Sequence, residues 1–266
     1  MTTLASGDCA NCDRAIAGPE QKFCPACGQP TPAHRIDWHF LGHELEHSVL
    51  HMDRGIFYSL KELMLRPGHL MRDYIEGRRA NQVKPLLLLM ITAAAVVFLS
   101  KYLLAGDVLG SAFVVTGAGT DAAGADVKFD ALMAEIFTAV RGWINAHYAA
   151  AALLLLPMEA AALRLAFRGM GLNYPEWLVL TAYITVQAFV ITAVTIVVRH
   201  WLPQAQAWGI WLSIVYALFS LAQFFKSYPR WQSVLRGIFG FVLYFLMQTV
   251  LILALVLGVY LITRGG

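Results

Sequence analysis

Four cysteines lie near the N-terminus as two CxxC pairs, Cys9-Ala-Asn-Cys12 and Cys24-Pro-Ala-Cys27, separated by eleven residues. Each pair can fold into a tight knuckle that turns two thiolates toward one ion. Pro25 fixes φ inside the second knuckle, and Gly28 gives the backbone freedom such turns use as they end. Four thiolates at the corners of a tetrahedron suit Zn²⁺ and leave no open position for water or substrate, so such a centre is structural. Iron–sulfur ligation, a redox dithiol and four unligated thiols are the alternatives. A segment this short buries too little to fold alone, and one zinc per chain would contribute the missing stability.

A second pattern is His39, His43, His47 and His51, one histidine every four residues. Within it His43-Glu44-Leu45-Glu46-His47 matches H-E-x-x-H, which in zinc peptidases sets two ligands one turn apart with the glutamate as general base. A peptidase also needs a third ligand and an open coordination position. Asp73 could serve as that ligand, but no second motif points to it. An amphipathic helix over 36–64 explains the same residues, because Trp38, Leu41, Leu45, Val49, Met52, Ile56, Leu60 and Leu63 form one apolar seam. The histidines then occupy the opposite, polar face. There they could bind a second metal, sense pH against anionic headgroups, or be solvated. The stripe is too long for all four to share one ion.

Hydropathy identifies the elements that must carry these groups. Of 266 residues, 58% are hydrophobic and 14% charged, and twenty of the thirty-seven charged side chains precede residue 85. Five later runs are long enough to cross about 30 Å of hydrocarbon as helices. They are read at about 85–105, 146–167, 177–198, 208–225 and 238–262. Arg72, Arg78, Arg79 and Lys84 precede the first run, Arg164 and Arg168 follow the second, and Lys226, Arg230 and Arg236 separate the fourth from the fifth. The loop 106–134 instead carries Asp107, Asp121, Asp126 and Asp130 against Lys128. Positive charge stays on the cytoplasmic side, which predicts the N-terminus inside, the acidic loop outside and the C-terminus outside. Residues 134–145 read as an interfacial amphipathic helix.

The first thirty residues contain no apolar leader segment, so the expectation is a chain without a cleavable signal peptide. Its cysteines then remain in a reducing compartment, where paired CxxC motifs bind metal more often than they form disulfides. Acidic and basic residues balance in 1–84, which leaves no basic footprint for nucleic acid.

Glu159 is the costliest placement, inside the second run and close to Pro157. A carboxylate in hydrocarbon must be protonated, paired, or open to a wet cavity. Gln187 and Gln248 can hydrogen-bond across helices. Glu176 follows Pro175 at a helix start, where the macrodipole favours a carboxylate. Glu159, Glu176 and Gln187 are therefore candidates for an intramembrane polar site, with interhelical bonding as the plainer explanation.

Three blocks carry a family resemblance. They are Phe23-Cys24-Pro25-Ala26-Cys27-Gly28-Gln29; the stretch from Asp53-Arg54-Gly55 through Arg66-Pro67-Gly68 and Tyr74-Ile75-Glu76-Gly77-Arg78-Arg79 to Lys84-Pro85; and Asn173-Tyr174-Pro175-Glu176-Trp177-Leu178-Val179. Together they resemble a bacterial family of membrane proteins of unknown function with an N-terminal zinc ribbon. The resemblance implies a fold and a membrane location but no activity. Trp177 stands where the family usually has His, and Gln82-Val83 stands where an aromatic residue is common. The resemblance therefore supplies no glutamate–histidine pair at Glu176.

The expected fold class is all-α: a polytopic membrane helix bundle of about five transmembrane helices with a small N-terminal zinc ribbon and a juxtamembrane amphipathic helix. The expected division is ribbon 1–30, amphipathic segment 34–84 and bundle 85–266, in the inner (cytoplasmic) membrane. The expected partners are the lipid bilayer and a protein partner or second copy held through the ribbon and amphipathic helix. The first functional reading is a non-enzymatic adaptor, assembly factor or accessory subunit. A transporter or lipid-handling protein using the Glu159 region is the second, and a zinc-dependent membrane peptidase using His43, Glu44 and His47 the third.

Overall fold

The computed structural model describes residues 7–18, 20–47, 55–106, 108, 127–199, 201–202, 204–226 and 228–265. Among them lie α1 (Trp38–His47), α2 (Ile56–Leu65), α3 (Pro67–Ile75), α4 (Pro85–Leu103), α5 (Val127–Ala146), α6 (Tyr148–Ala166), α7 (Tyr174–Val198), α8 (Ala205–Phe224) and α9 (Arg230–Gly265). The described residues contain no extended strand beyond two isolated bridges in the cysteine segment. Five helices are long and apolar enough to cross a membrane: α4, α6, α7, α8 and the first 25 residues of α9.

The central helix is α7, packed against α2, α3, α4, α6 and α8, while α9 closes the bundle against α6 and α8. The inward faces are apolar, with Leu88, Ala160, Leu163, Leu180, Val186 and Leu221 fully buried. The outward faces are equally apolar: Trp208, Trp211, Val215, Phe239, Val242 and Leu246 are exposed. Such surfaces suit hydrocarbon and would be a liability in water.

Two expected segments differ from the structure. The helix expected over 36–64 is described as α1 and α2, with a new start at Gly55 and with residues 48–54 outside the described set. Along the expected seam, Leu63 is fully buried, whereas Leu41, Ile56 and Leu60 pack partly against the core. Trp38 is 62% exposed and lies beside the Tyr174 ring. The loop expected over 106–134 is helical from Val127 onward, where α5 begins.

Helix α2 runs directly into α3 at Arg66-Pro67-Gly68, and this hairpin docks on the spans. Proline at the first position of α3 gives up no helical hydrogen bond. Gly68 meets the end of α8 so closely that a Cβ there would sit 2.4 Å from the Phe224 nitrogen. Helix α3 ends in a Schellman cap: Gly77 adopts φ +92°, and Arg78 N–H donates to the Asp73 carbonyl at 2.8 Å.

Candidate functional site

The two cysteine knuckles repeat one backbone plan. Cys9 N–H donates to the Arg14 carbonyl and Cys24 N–H to that of Gln29, both at 2.8 Å. Asp13 and Gly28, four residues after the leading cysteines, donate back to the Cys9 and Cys24 carbonyls and have positive φ, +56° and +72°. Asp tolerates that left-handed conformation better than most residues. The result brings all four Sγ atoms within 4.8 Å of one another, with Cys9–Cys27 and Cys12–Cys24 each at 3.6 Å. Zinc–sulfur bonds of about 2.3 Å place tetrahedral sulfurs about 3.8 Å apart, so the donor set fits a tetrathiolate ion. The backbone amides of Ala26 and Cys27 donate to Cys24 and lower its thiol pKa to about 6, whereas desolvation and the three neighbouring sulfurs push Cys12 upward, so the sulfurs share protons unevenly until an ion replaces them. Among the described residues, no other group of three or more His, Cys, Asp or Glu side chains converges in this way.

The cysteine segment is fastened to the ribbon end of the bundle. The Gln29 side-chain oxygen accepts from Arg79 N–H at 3.0 Å, and an Arg79 nitrogen donates to the His34 carbonyl at 3.2 Å. Arg79 also stacks over the Phe40 and Tyr74 rings, 4.4 and 5.1 Å from their centres. Arg35 donates through two nitrogens to the Glu176 carboxylate, at 2.6 and 2.9 Å, and to the Gly171 carbonyl at 2.6 Å. Asn173 donates to the Ile36 carbonyl at 2.8 Å.

These contacts account for Glu176. Asn173 and Glu176 form a reciprocal capping box at the start of α7: the Asn173 side chain accepts from Glu176 N–H, and the Glu176 carboxylate accepts from Asn173 N–H. The carboxylate is 2% exposed, caps α7 and pairs with Arg35 at the ribbon end. Trp177 is buried against the Phe167 and Phe225 rings.

Gln187 binds the α2–α3 hairpin to two spans. Its amide nitrogen donates to the Leu63 carbonyl at 3.2 Å, and its oxygen accepts from the Ser220 hydroxyl at 3.1 Å. The Tyr216 hydroxyl donates to the Met64 carbonyl at 2.5 Å. Leu63 and Met64 lie in the last turn of α2, whose carbonyls lack helical partners, so α7 and α8 cap that end. The exchange is mutual. Arg72 donates to the terminal carbonyls of α8 at Gln223 and Phe224, and the Gln223 side chain accepts from Gly68 N–H at 2.8 Å.

Glu159 borders a cavity. The space is about 520 Å³ and lies among α5, α6, α7, α8 and α9. Its walls are mostly apolar, with Tyr148, Glu159, Thr185, Ser213, Tyr244 and Gln248 as polar points and Arg141 contributed by α5. Glycines shape it. Gly237 and Gly240 bring α9 against Leu218 of α8 and Leu163 of α6, where an added Cβ would stand 2.6 Å from a leucine methyl. Beyond Phe241, α9 has no buried residue among those described, and Tyr244, Phe245, Gln248 and Ile252 line the cavity instead. The helices are thus pinned together near the ribbon end and diverge away from it.

His39 is exposed on α1. The side chains of His43 and His47, and all of His51, lie outside the described residues. Local sequence rules identified the cysteines, while Arg35, Tyr216, Ser220 and the cavity-lining Thr185 and Tyr244 were missed. Only the Asn173-x-x-Glu176 capping signature was locally visible.

A family model described as "Protein of unknown function (DUF3667)" matches residues 53–97. The match covers α2, α3 and most of α4, and contains the second of the three resemblance blocks. No curated protein and no solved structure matches the chain.

Proposed function

We propose that this is a multi-pass membrane protein that binds a lipid-like amphiphile in the cavity among α5–α9, with Glu159 as a polar contact near its narrow end. The carrying observation is the position of Glu159, 9% exposed yet bordering a cavity of ligand size. The Glu159 carboxyl group reaches Thr185 of α7, a second lining residue, so it bonds between helices and also borders the space. Apolar walls suit an acyl chain, and Glu159, Tyr244 and Gln248 can hydrogen-bond polar atoms carried along it. In this reading the cysteine segment is a zinc-stabilised cap in the cytoplasm, Zn²⁺ being held by Cys9, Cys12, Cys24 and Cys27. Zinc supplies cross-linking stability there and no reaction. The membrane is the bacterial inner membrane, with the C-terminus outside, as the distribution of Arg and Lys supports.

Lipid analysis of protein purified in mild detergent tests this proposal. The wild type should retain a tightly held amphiphile that is lost from Ala188→Trp, which fills the cavity. Equal retention by both proteins would contradict the proposal.

Phe23 supports a second reading, the adaptor. It sits beside the second knuckle and is 61% exposed on a segment otherwise fastened to the bundle. An exposed aromatic on a rigid cap is suited to anchoring a protein partner. The side chains that the peptidase reading needs, those of His43, Glu44 and His47, lie outside the described residues.

A further inference from the structure

The hairpin of α2 and α3 can be placed in depth against two spans that begin or end beside it. Helix α4 has 19 residues and α8 has 20, about 28 and 30 Å at 1.5 Å per residue. Each needs its whole length to cross about 30 Å of hydrocarbon. The start of α4 and the end of α8 therefore mark the ribbon-side edge of that layer. Exposed Trp208 and Trp211 toward the other end of α8, and exposed Lys226 just past Phe224, match the aromatic and cationic belts of the two interfaces.

Ser59 of α2 lies at the ribbon-side edge, where its hydroxyl accepts from Val83 N–H at 2.9 Å, two residues before α4. From Ser59 the helix continues inward. The Tyr183 hydroxyl donates to the Val83 carbonyl at 3.4 Å, and one turn further along α7 Gln187 donates to the Leu63 carbonyl at 3.2 Å. On α8, Ser220 is one turn inside Phe224 and donates to the same Gln187. Tyr216, two turns inside, donates to the Met64 carbonyl at 2.5 Å. Both spans put the end of α2 about 5–6 Å, one helical turn, inside the edge.

Leu65 stands at this tip, at the end of α2 away from Gly55, and is 62% exposed. Backbone that turns at membrane depth persists where protein satisfies its polar groups. Here α7 and α8 take the last carbonyls of α2, and Gly68 N–H on the return donates to the Gln223 side chain at 2.8 Å. Arg66 pairs with Glu62 at 2.8 Å, and its long stem lets the charge reach back to headgroup level.

From these contacts we infer that α2 and α3 form a re-entrant hairpin, with Leu65 inserted among the acyl chains of the ribbon-side leaflet. The occupant of the exposed tip is lipid, because at that depth the outside of the bundle faces hydrocarbon. Gln187, Ser220 and Tyr216 thereby share one task, holding a polar helix end below the membrane surface. None of them lines the cavity beside Glu159, so this lipid contact is separate from that site.

The test uses the full chain in phosphatidylcholine nanodiscs, its cysteines intact, with a fluorescent unnatural amino acid placed in turn at Leu65, Met90 and Phe23. All three side chains are exposed, so the label leaves the fold intact. Met90 is five residues inside α4 and serves as the lipid reference at matched depth; Phe23, on the cysteine segment, is the aqueous reference. Lipids brominated near the top of the acyl chain should remove most of the emission at positions 65 and 90 and little at position 23. Aqueous iodide should do the reverse. Iodide quenching at position 65 like that at 23 would put the tip in water. Protection from both quenchers would mean that a second copy or another protein surface covers it. Either result overturns the inference.

Discussion

Arg35 and Glu176 face each other with Nε 2.6 Å from Oε1, although 141 positions separate them in the chain. The pair joins the strand of chain after the cysteine segment to the first turn of α7. It also links two separate tasks, since the same carboxylate caps the helix. Glu176→Ala should therefore destabilise the protein by about 1–3 kcal/mol, with the half-solvated Arg35 keeping the loss below that of a fully buried pair. Arg35→Ala should cost less and act mainly on the ribbon. Hydrogen exchange should show faster amides in residues 7–40 for both variants, and at the start of α7 for Glu176→Ala alone.

Cys24→Ser should remove the metal and release residues 7–36 while the helix bundle stays assembled. Metal analysis should give one zinc per wild-type chain and none per variant chain, with unchanged far-ultraviolet helicity. Because Gln29 and Arg79 join the cap to the α3–α4 connection, chelation should also speed exchange around Arg79. Zinc-free wild type after gentle purification would contradict the tetrathiolate assignment.

The hairpin is held by donors aimed at helix-end carbonyls. Gln187→Leu removes the donor to the buried Leu63 carbonyl, whereas the Ser220 hydroxyl keeps the Tyr216 carbonyl as its acceptor. A loss of about 1–3 kcal/mol is expected in reversible denaturant unfolding. Tyr216→Phe, which removes only the bond to Met64, should cost about 1 kcal/mol.

Two glycines should respond oppositely to alanine. At Gly68 the new Cβ would meet backbone of α8 at 2.4 Å, so α3 must move; about 1–3 kcal/mol should be lost. At Gly258 nothing lies within 4 Å, and alanine should be neutral or stabilising by up to about 1 kcal/mol. Thermal unfolding of the two variants in one detergent checks the contrast.

The sequence exposes what depends on near neighbours. Spans are legible because hydropathy over some 20 residues measures the cost of leaving lipid. The CxxC knuckles are legible because spacing alone brings two sulfurs together. Glu176 shows the limit: its position at a helix start was readable, but its partner Arg35 was not, since nothing local joins residues 141 apart. The hairpin was hidden in a similar way. The apolar seam from Ile56 to Leu63 suggested surface amphipathicity, whereas its end is capped by two distant spans. The cavity beside Glu159 depends on how Gly237 and Gly240 let α9 approach and then diverge, a property of helix packing rather than of any motif.

Photolabelling with an acyl-chain probe tests the central claim most directly, because it separates molecules inside the cavity from those around the bundle. Protein in nanodiscs would be irradiated with a photoactivatable lipid and the modified residues mapped by mass spectrometry. The account predicts labels on cavity residues such as Ile184, Ala217 and Tyr244, with loss of those labels in Ala188→Trp. Labels confined to outward residues such as Val215, Phe219 and Val242, unchanged in the variant, would contradict it.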